Sequence, residues 1–340
     1  MTRRWGLVLG GGGVLGAAWM VGALTALEEV HGLDPRDAEL LVGTSAGSLL
    51  AALLGAGVSV TELRAHQLGE PAESGPLARL DWDYETATGG AGPPRPRLGP
   101  GSTTLVRQGP GRLRHLPPTA VLAALAPEGR GSLGTVGRLV RDVQAAIGAD
   151  PDGWSPHAGV RAVAMDYDSG RRVVFGSDAA PVVALADAVM ASCAIPGWYS
   201  PMVLHGVRYV DGGAWSATNV DVLAGAKVDG QRLDEVFVLA PLVSFSMDRP
   251  SDVPSRMERA WRERVTRRCL REVAKLHATG TEATVIGPGP EDLEAIGPNL
   301  MALGRRRHVL ETALATSRGA LEDPETLADL PENPNLAGAS

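Results

Sequence analysis

The first sixty residues contain two short apolar runs, each followed at once by a helix-length apolar segment. Trp5-Gly6-Leu7-Val8-Leu9 is wholly apolar and stops at four consecutive glycines, Gly10 to Gly13, the pattern of a buried strand ending in a loop. Val14 to Leu24 then reads as a helix. The arrangement recurs: Glu39-Leu40-Leu41-Val42 reads as the end of a second strand and Ser48 to Leu54 as a second helix, with Gly43-Thr44-Ser45-Ala46-Gly47 at the turn between them. Further apolar runs bounded by turn residues predict strands near 160–165, 172–175, 207–210, 235–240 and 283–286, beside those at 6–9 and 40–43. Asp168-Ser169-Gly170, in a short loop, predicts an antiparallel hairpin between 160–165 and 172–175, and Met202 to Val210 reads as another. The expected fold is therefore a three-layer α/β domain with a mixed sheet.

Between Ser255 and Leu276 the residues Met257, Trp261, Val265, Cys269, Val273 and Leu276 recur at three- and four-residue spacing with arginines between them. This stripe predicts an amphipathic helix packed on its own domain. Glu258, Glu263 and Glu272 temper its positive face and argue against a membrane-surface role. Trp5 to Leu27 carries no charge and follows Arg3 and Arg4, so hydropathy alone would mark it as a span or a signal segment. Seven glycines in that run, four of them consecutive, leave a lipid-embedded helix poorly formed; a buried strand, loop and helix explain the pattern better. The expectation is a soluble protein.

Composition narrows the function classes. The chain has 340 residues, 44% of them apolar, enough to bury a full core. Its formal charge of −7 argues against nucleic acid as a partner. Two distant cysteines, Cys193 and Cys269, supply neither a disulfide framework nor metal-ligand spacing, and Cys193 is expected to be a small core residue. Gly and Pro make up a fifth of the chain, below the range of about 25–30% that marks disorder. They concentrate from Gly89 to Pro118, a stretch free of acidic residues that holds Arg95, Arg97, Arg107, Arg112 and Arg114. That composition fits a solvated loop, or alternatively a lid drawn to anionic lipid. The stretch 321–340 is expected to be a flexible tail.

Three motifs carry chemistry. A Gly-x-Ser-x-Gly run at a strand-to-helix turn holds its serine in a strained conformation, with Gly43 and Gly47 admitting neighbouring backbone, and lifts the Ser45 hydroxyl above a helix N-terminus. Gly10 to Gly13 free several N–H groups to point at one spot, as an oxyanion site requires. Asp211 stands at the end of the 207–210 strand, and Gly212 and Gly213 after it leave room for close approach to another loop, although Asp-Gly-Gly is also an ordinary turn. Gly11-x-Gly13-x-x-Gly16 also matches a dinucleotide fingerprint, with Asp34, Asp37 and Glu39 near the position of the ribose acid, but the following strand ends in the serine turn instead.

Together these motifs resemble the patatin-like phospholipase family, from Gly10 to about Leu54 and again from Ala184 to about Asn219. The resemblance implies a three-layer patatin-like fold with a central mixed, mostly parallel sheet, over a domain of residues 1–320. It also implies hydrolysis of lipid acyl esters with Ser45 as nucleophile and Asp211 as its dyad partner. Gly11, Gly12 and Gly13 would form the oxyanion loop, supported by Gly16, Gly43, Gly47, Gly212 and Gly213. Ala191 to Pro196 resembles the family segment that packs under the site. No cofactor or metal is implied; the partners are a lipid or other acyl ester and, transiently, a membrane surface, with a cytoplasmic or peripheral location. Leu15 departs from the family, where a basic residue often precedes the last glycine of the loop; a charge contact there is lost while the glycine N–H groups are unaffected. Two alternatives stay open at this level. An α/β-hydrolase triad would need a histidine after Asp211, and His277 and His308 both follow it, in charged rather than strand-and-loop settings. A catalytically inactive lipid- or acyl-binding protein would keep the scaffold without turnover.

Overall fold

The computed structural model describes residues 3–80 and 95–322. Among them are β1 (Trp5–Leu9), β2 (Leu40–Thr44), β3 (Val160–Asp166), β4 (Arg172–Phe175), β5 (Met202–Leu204), β6 (Val207–Asp211), β7 (Lys227–Val228), β8 (Gln231–Arg232), β9 (Glu235–Leu239) and β10 (Glu282–Ile286). The seven strands expected from the apolar runs are all present, each within a residue of its expected ends. β5 completes the hairpin with β6, and β7 pairs with β8.

β10, β9, β1, β2 and β3 lie side by side in that order, every neighbouring pair parallel. β4, β6 and β5 add antiparallel pairings, so the sheet is mixed and mostly parallel. The register on β3 matters most. β2 pairs with residues 160–163 of β3 and β6 with residues 164–166, while β4 pairs with 162–165. A strand has two edges, and β4 shares residues of β3 with both of the others. β2 and β6 must therefore occupy the same edge and point at each other, end to end.

Side chains alternate between the faces of this sheet, as the two-residue period demands. Leu7, Leu9, Leu41, Phe237 and Leu239 pack with the helices Gly13–His31, Ala46–Gly55, Gly134–Ala146 and Arg306–Glu322. Val8, Val42, Val236, Val238 and Val285 face the other way, onto Cys269, Val273 and Leu276 of the helix Val253–His277. Helices thus cover both faces. Gly13–His31 is long and apolar enough to cross a membrane by length and composition, but 78% of its apolar window is buried inside the fold.

The stripe read along 255–276 holds only at its C-terminal half. Met257 is 71% exposed, whereas Arg259 and Arg262, taken from the sequence as the polar face, are buried. The first turns of this helix run past the sheet, where Asp248 and Glu258 pair with the guanidinium groups and make their burial tolerable.

Residues 95–118, the described part of the Gly/Pro-rich insert, are attached rather than merely solvated. Ser102 is buried, donates to Asp168 at 2.8 Å and caps the short helix Thr103–Arg107, whose Leu105 is fully buried. Arg208 pairs with the same Asp168 and with Glu128. The rest of that insert, 89–94, and the tail beyond Glu322 lie outside the described residues.

Candidate active site

The loops that follow β1 and β2 lie at the C-terminal end of the parallel strands, the edge at which open α/β sheets gather ligands. Ser45 adopts φ 53 and ψ −124, a conformation rare for a residue with a side chain and one that costs on the order of 1–3 kcal/mol. Its surroundings hold it there. The Ser45 N–H donates to the Ser192 hydroxyl at 2.9 Å, and that hydroxyl donates in turn to the Val163 carbonyl at 2.6 Å. The Ser45 carbonyl accepts from both the N–H and the hydroxyl of Ser48. Gly47 is obligatory: a Cβ on it would stand 2.0 Å from the Leu9 carbonyl oxygen, because the first turn of the helix presses on the end of β1. Gly43 meets that same turn.

Asp211 arrives from the opposite direction. It pairs with Ala164 while Thr44 pairs with Val163, so the two strand ends abut at consecutive residues of β3. Gly212 fits between the Val163 carbonyl and the Thr44 side chain, and the Gly213 N–H donates to the Asp211 carboxylate at 2.7 Å. Burial raises the Asp211 carboxyl to about 6, an effect partly offset by the Ser45 hydroxyl and by the Gly213 N–H, which favour the charged form.

The glycine loop covers the pair. The position of a Cβ on Gly11 is 3.5 Å from Ser45 Cβ. The Gly11 N–H donates to the Ala217 carbonyl at 2.8 Å, which anchors this end of the loop. Gly12 and Gly13 have no backbone N–H partner among the described residues. They stand at the N-terminus of the helix Gly13–His31, where the helix dipole favours negative charge. Gly13 takes φ +62. Gly16 rests on the ring of Pro241, which also abuts Gly12. Leu15 points into the core, fully buried, and its N–H is bound by the Leu300 carbonyl at 2.9 Å, so a basic side chain at this position would have no route to the site without leaving the core.

A cleft of about 70 Å³ opens beside Ser45, lined chiefly by apolar side chains that include Val14, Leu49, Leu133, Ile195, Tyr199 and Met301. Cys193 lines it too, at the boundary where the cleft meets the core against which its side chain packs. Burial and the charge of Asp211 push its thiol up to about 12, so it stays protonated and a poor nucleophile. None of the seven histidines lines the cleft; His277 and His308 are exposed on their helices. Among the described residues no three His, Cys, Asp or Glu side chains converge where a metal would bind.

Several supporting residues were invisible to motif reading. Asn219, in the left-handed conformation, donates to the Thr44 hydroxyl at 3.0 Å and ties the loop after Asp211 to the end of β2. Glu272, buried, accepts from Thr218 and from the Val220 N–H, fixing the loop whose Ala217 carbonyl holds Gly11. Arg262 is fully buried and donates to the Pro241 carbonyl at 2.6 Å. Only Asn219 had a local signal, as the terminus of the second matching stretch. The others act from a helix with no glycine or turn signature.

The sequence profile described as patatin-like phospholipase matches residues 7–224. Among solved structures, the chain is similar to VipD from Legionella pneumophila, with a TM-score of 0.44 and 13% identity over 94% of this chain and 67% of that one. No curated protein matches the sequence.

Proposed function

From the premise that this chain belongs to the patatin-like phospholipase family, we propose that it hydrolyses acyl ester bonds of lipids, with Ser45 as nucleophile and Asp211 as general base. The family is one of lipid acyl hydrolases; the assignment of roles rests on one observation, the buried Asp211 carboxylate set against the Ser45 hydroxyl at two abutting strand ends.

The reaction follows from those groups. Ser45 Oγ attacks the ester carbonyl carbon while Asp211 takes the hydroxyl proton, and the Gly12 and Gly13 N–H groups receive the oxyanion. Collapse of the tetrahedral intermediate breaks the bond to the alcohol, which leaves with the proton from Asp211. Water then attacks the acyl-enzyme, giving its proton to Asp211, and the fatty acid departs as Ser45 recovers that proton. Asp211 is a stronger base than an exposed carboxylate because burial has raised its pKa. Removing water also strengthens the oxyanion contacts, since each donor works in a lower dielectric. The apolar cleft beside Ser45 suits the start of an acyl chain.

A fluorophosphonate probe tests the nucleophile directly. Labelling of the wild-type protein at Ser45, with none in Ser45→Ala, is the expected outcome, followed by hydrolysis across a mixed lipid panel to define the ester. Absence of labelling together with absence of turnover on every ester class would favour the binding protein instead.

A further inference from the structure

The arginine content of this chain is unevenly placed. Eight arginines and a single acidic residue, Glu128, fall between Arg95 and Arg141, in a chain of net charge −7. Glu128 is already engaged by Arg97 at 2.9 Å and by Arg208 at 3.1 Å. Backbone contacts gather part of this stretch into one ribbon. The Arg97 N–H donates to the Glu128 carbonyl, the Gly101 N–H to the Ala126 carbonyl, and Pro100 bridges to Pro127. Along the ribbon Leu98 is fully exposed, and Leu122 and Leu125, three residues apart on the helix Pro118–Leu125, are 64% and 51% exposed. Arg95 and Arg130, at its ends, are exposed as well.

A solvated loop explains the arginines but not three outward leucines near them, a combination that favours an interface between water and hydrocarbon. The ribbon also leads to the active-site cleft. Gly131 exchanges hydrogen bonds with Trp198 and Ser200 on either side of Tyr199, and Tyr199 and Leu133 both line the cleft next to Ser45.

We propose that the ribbon of residues 95–102 and 118–130 docks on an anionic phospholipid surface, with Leu98, Leu122 and Leu125 entering the acyl-chain boundary and Arg95 and Arg130 meeting head-group phosphates. The choice of lipid as occupant rests on the proposed hydrolase function; nucleic acid would satisfy the arginines and leave the leucines in water.

Vesicle co-flotation of the Ser45→Ala protein measures docking without hydrolysis. Binding is expected to vesicles of phosphatidylcholine with phosphatidylglycerol, to weaken as salt screens the charges, and to be far poorer on phosphatidylcholine alone. Arg95→Gln with Arg130→Gln should weaken it roughly 25-fold, at about fivefold per basic residue near an anionic surface. Leu98→Ser with Leu122→Ser and Leu125→Ser should weaken it at least about tenfold. Both sets, placed in the protein with Ser45 intact, should leave hydrolysis of a short soluble ester unchanged. Equal binding to neutral and anionic vesicles, no response to either set, or capture by an oligonucleotide in preference to vesicles would overturn the proposal. Vesicle binding by a protein that hydrolyses no ester would instead remove the hydrolase reading and leave the docking face standing.

Discussion

Ser45 and Asp211 meet because β2 and β6 share one edge of β3 and run toward each other until Thr44 faces Val163 and Asp211 faces Ala164. Parallel entry from one side and antiparallel entry from the other bring the two turns to the same place. The nucleophile candidate comes with the strain of its turn, and the carboxylate comes with the burial of a strand end.

That burial has a cost which can be measured. The folded-state pKa of Asp211 lies above its unfolded value, so the native state holds the proton more tightly and this group's contribution to stability falls as pH rises from about 4 to about 6. Above that window the penalty is constant, on the order of 3 kcal/mol for the roughly two-unit shift. Asp211→Asn keeps an acceptor for the Gly213 N–H and removes the charge. It is expected to abolish ester hydrolysis while raising stability by about 1–3 kcal/mol at pH 8, a gain that fades toward pH 4 in denaturant titrations. Equal stability of the two proteins at pH 8 would contradict the assignment.

In the proposed mechanism the same ionisation governs rate. Asp211 accepts a proton only when charged, so kcat/KM on a soluble ester should rise with pH about a midpoint near 6, instead of near 4 as for an exposed carboxylate, and then stay level to pH 8. His277→Ala and His308→Ala should each reproduce this profile with most of the activity kept. Loss of activity in either, with the fold intact by circular dichroism, would bring back a triad.

Ser192 sustains the strained turn by accepting from the Ser45 N–H and donating to the Val163 carbonyl. Ser192→Ala leaves two buried groups without their partner, at about 1–3 kcal/mol. Thermal melts should show that loss, and kcat should fall more than KM changes, because the turn is free to relax. Ser192→Thr, if it keeps both bonds, should recover much of the rate.

Arg262 acts on the glycine loop through Pro241, whose carbonyl it binds and whose ring abuts Gly12 and Gly16. Arg262→Met fills a similar volume but removes one partner of Glu258, which keeps only Arg259, so some loss of Tm is expected beside any change in rate. Here kcat should drop about tenfold or more with KM little altered, as expected when an interaction made only in the transition state is lost. Partial recovery in Arg262→Lys would mark the effect as one of positioning. A parallel fall in Tm and in kcat for every variant would reduce Arg262 to a structural residue.

Met301 closes one side of the cleft, where its sulfur would stand 2.9 Å from a Cβ on Gly13. Met301→Ala should shift the preference among nitrophenyl esters toward longer acyl chains. Each further methylene that becomes buried is worth about 0.8 kcal/mol, or roughly fourfold in kcat/KM. An unchanged chain-length profile would place the acyl chain elsewhere.

Local rules made much of this protein legible before any coordinates. Short apolar runs such as 40–42 and 236–239, bounded by turn residues, favour strands buried on both faces, and turn glycines such as Gly43 and Gly47 mark where backbone passes close to backbone, so strand positions and the local setting of Ser45 were legible from the residues. The amphipathic reading failed at Met257 and Arg262 because periodicity reports which residues share a helix face, not whether that face lies over hydrocarbon or over paired charges. The Ala217 carbonyl that binds the Gly11 N–H is brought in by a distant loop. Hydrogen-bond partners, burial of a carboxylate and the meeting of two strand ends on one edge are properties of separations through space. No spacing along the chain encodes them, and only the folded structure decides them.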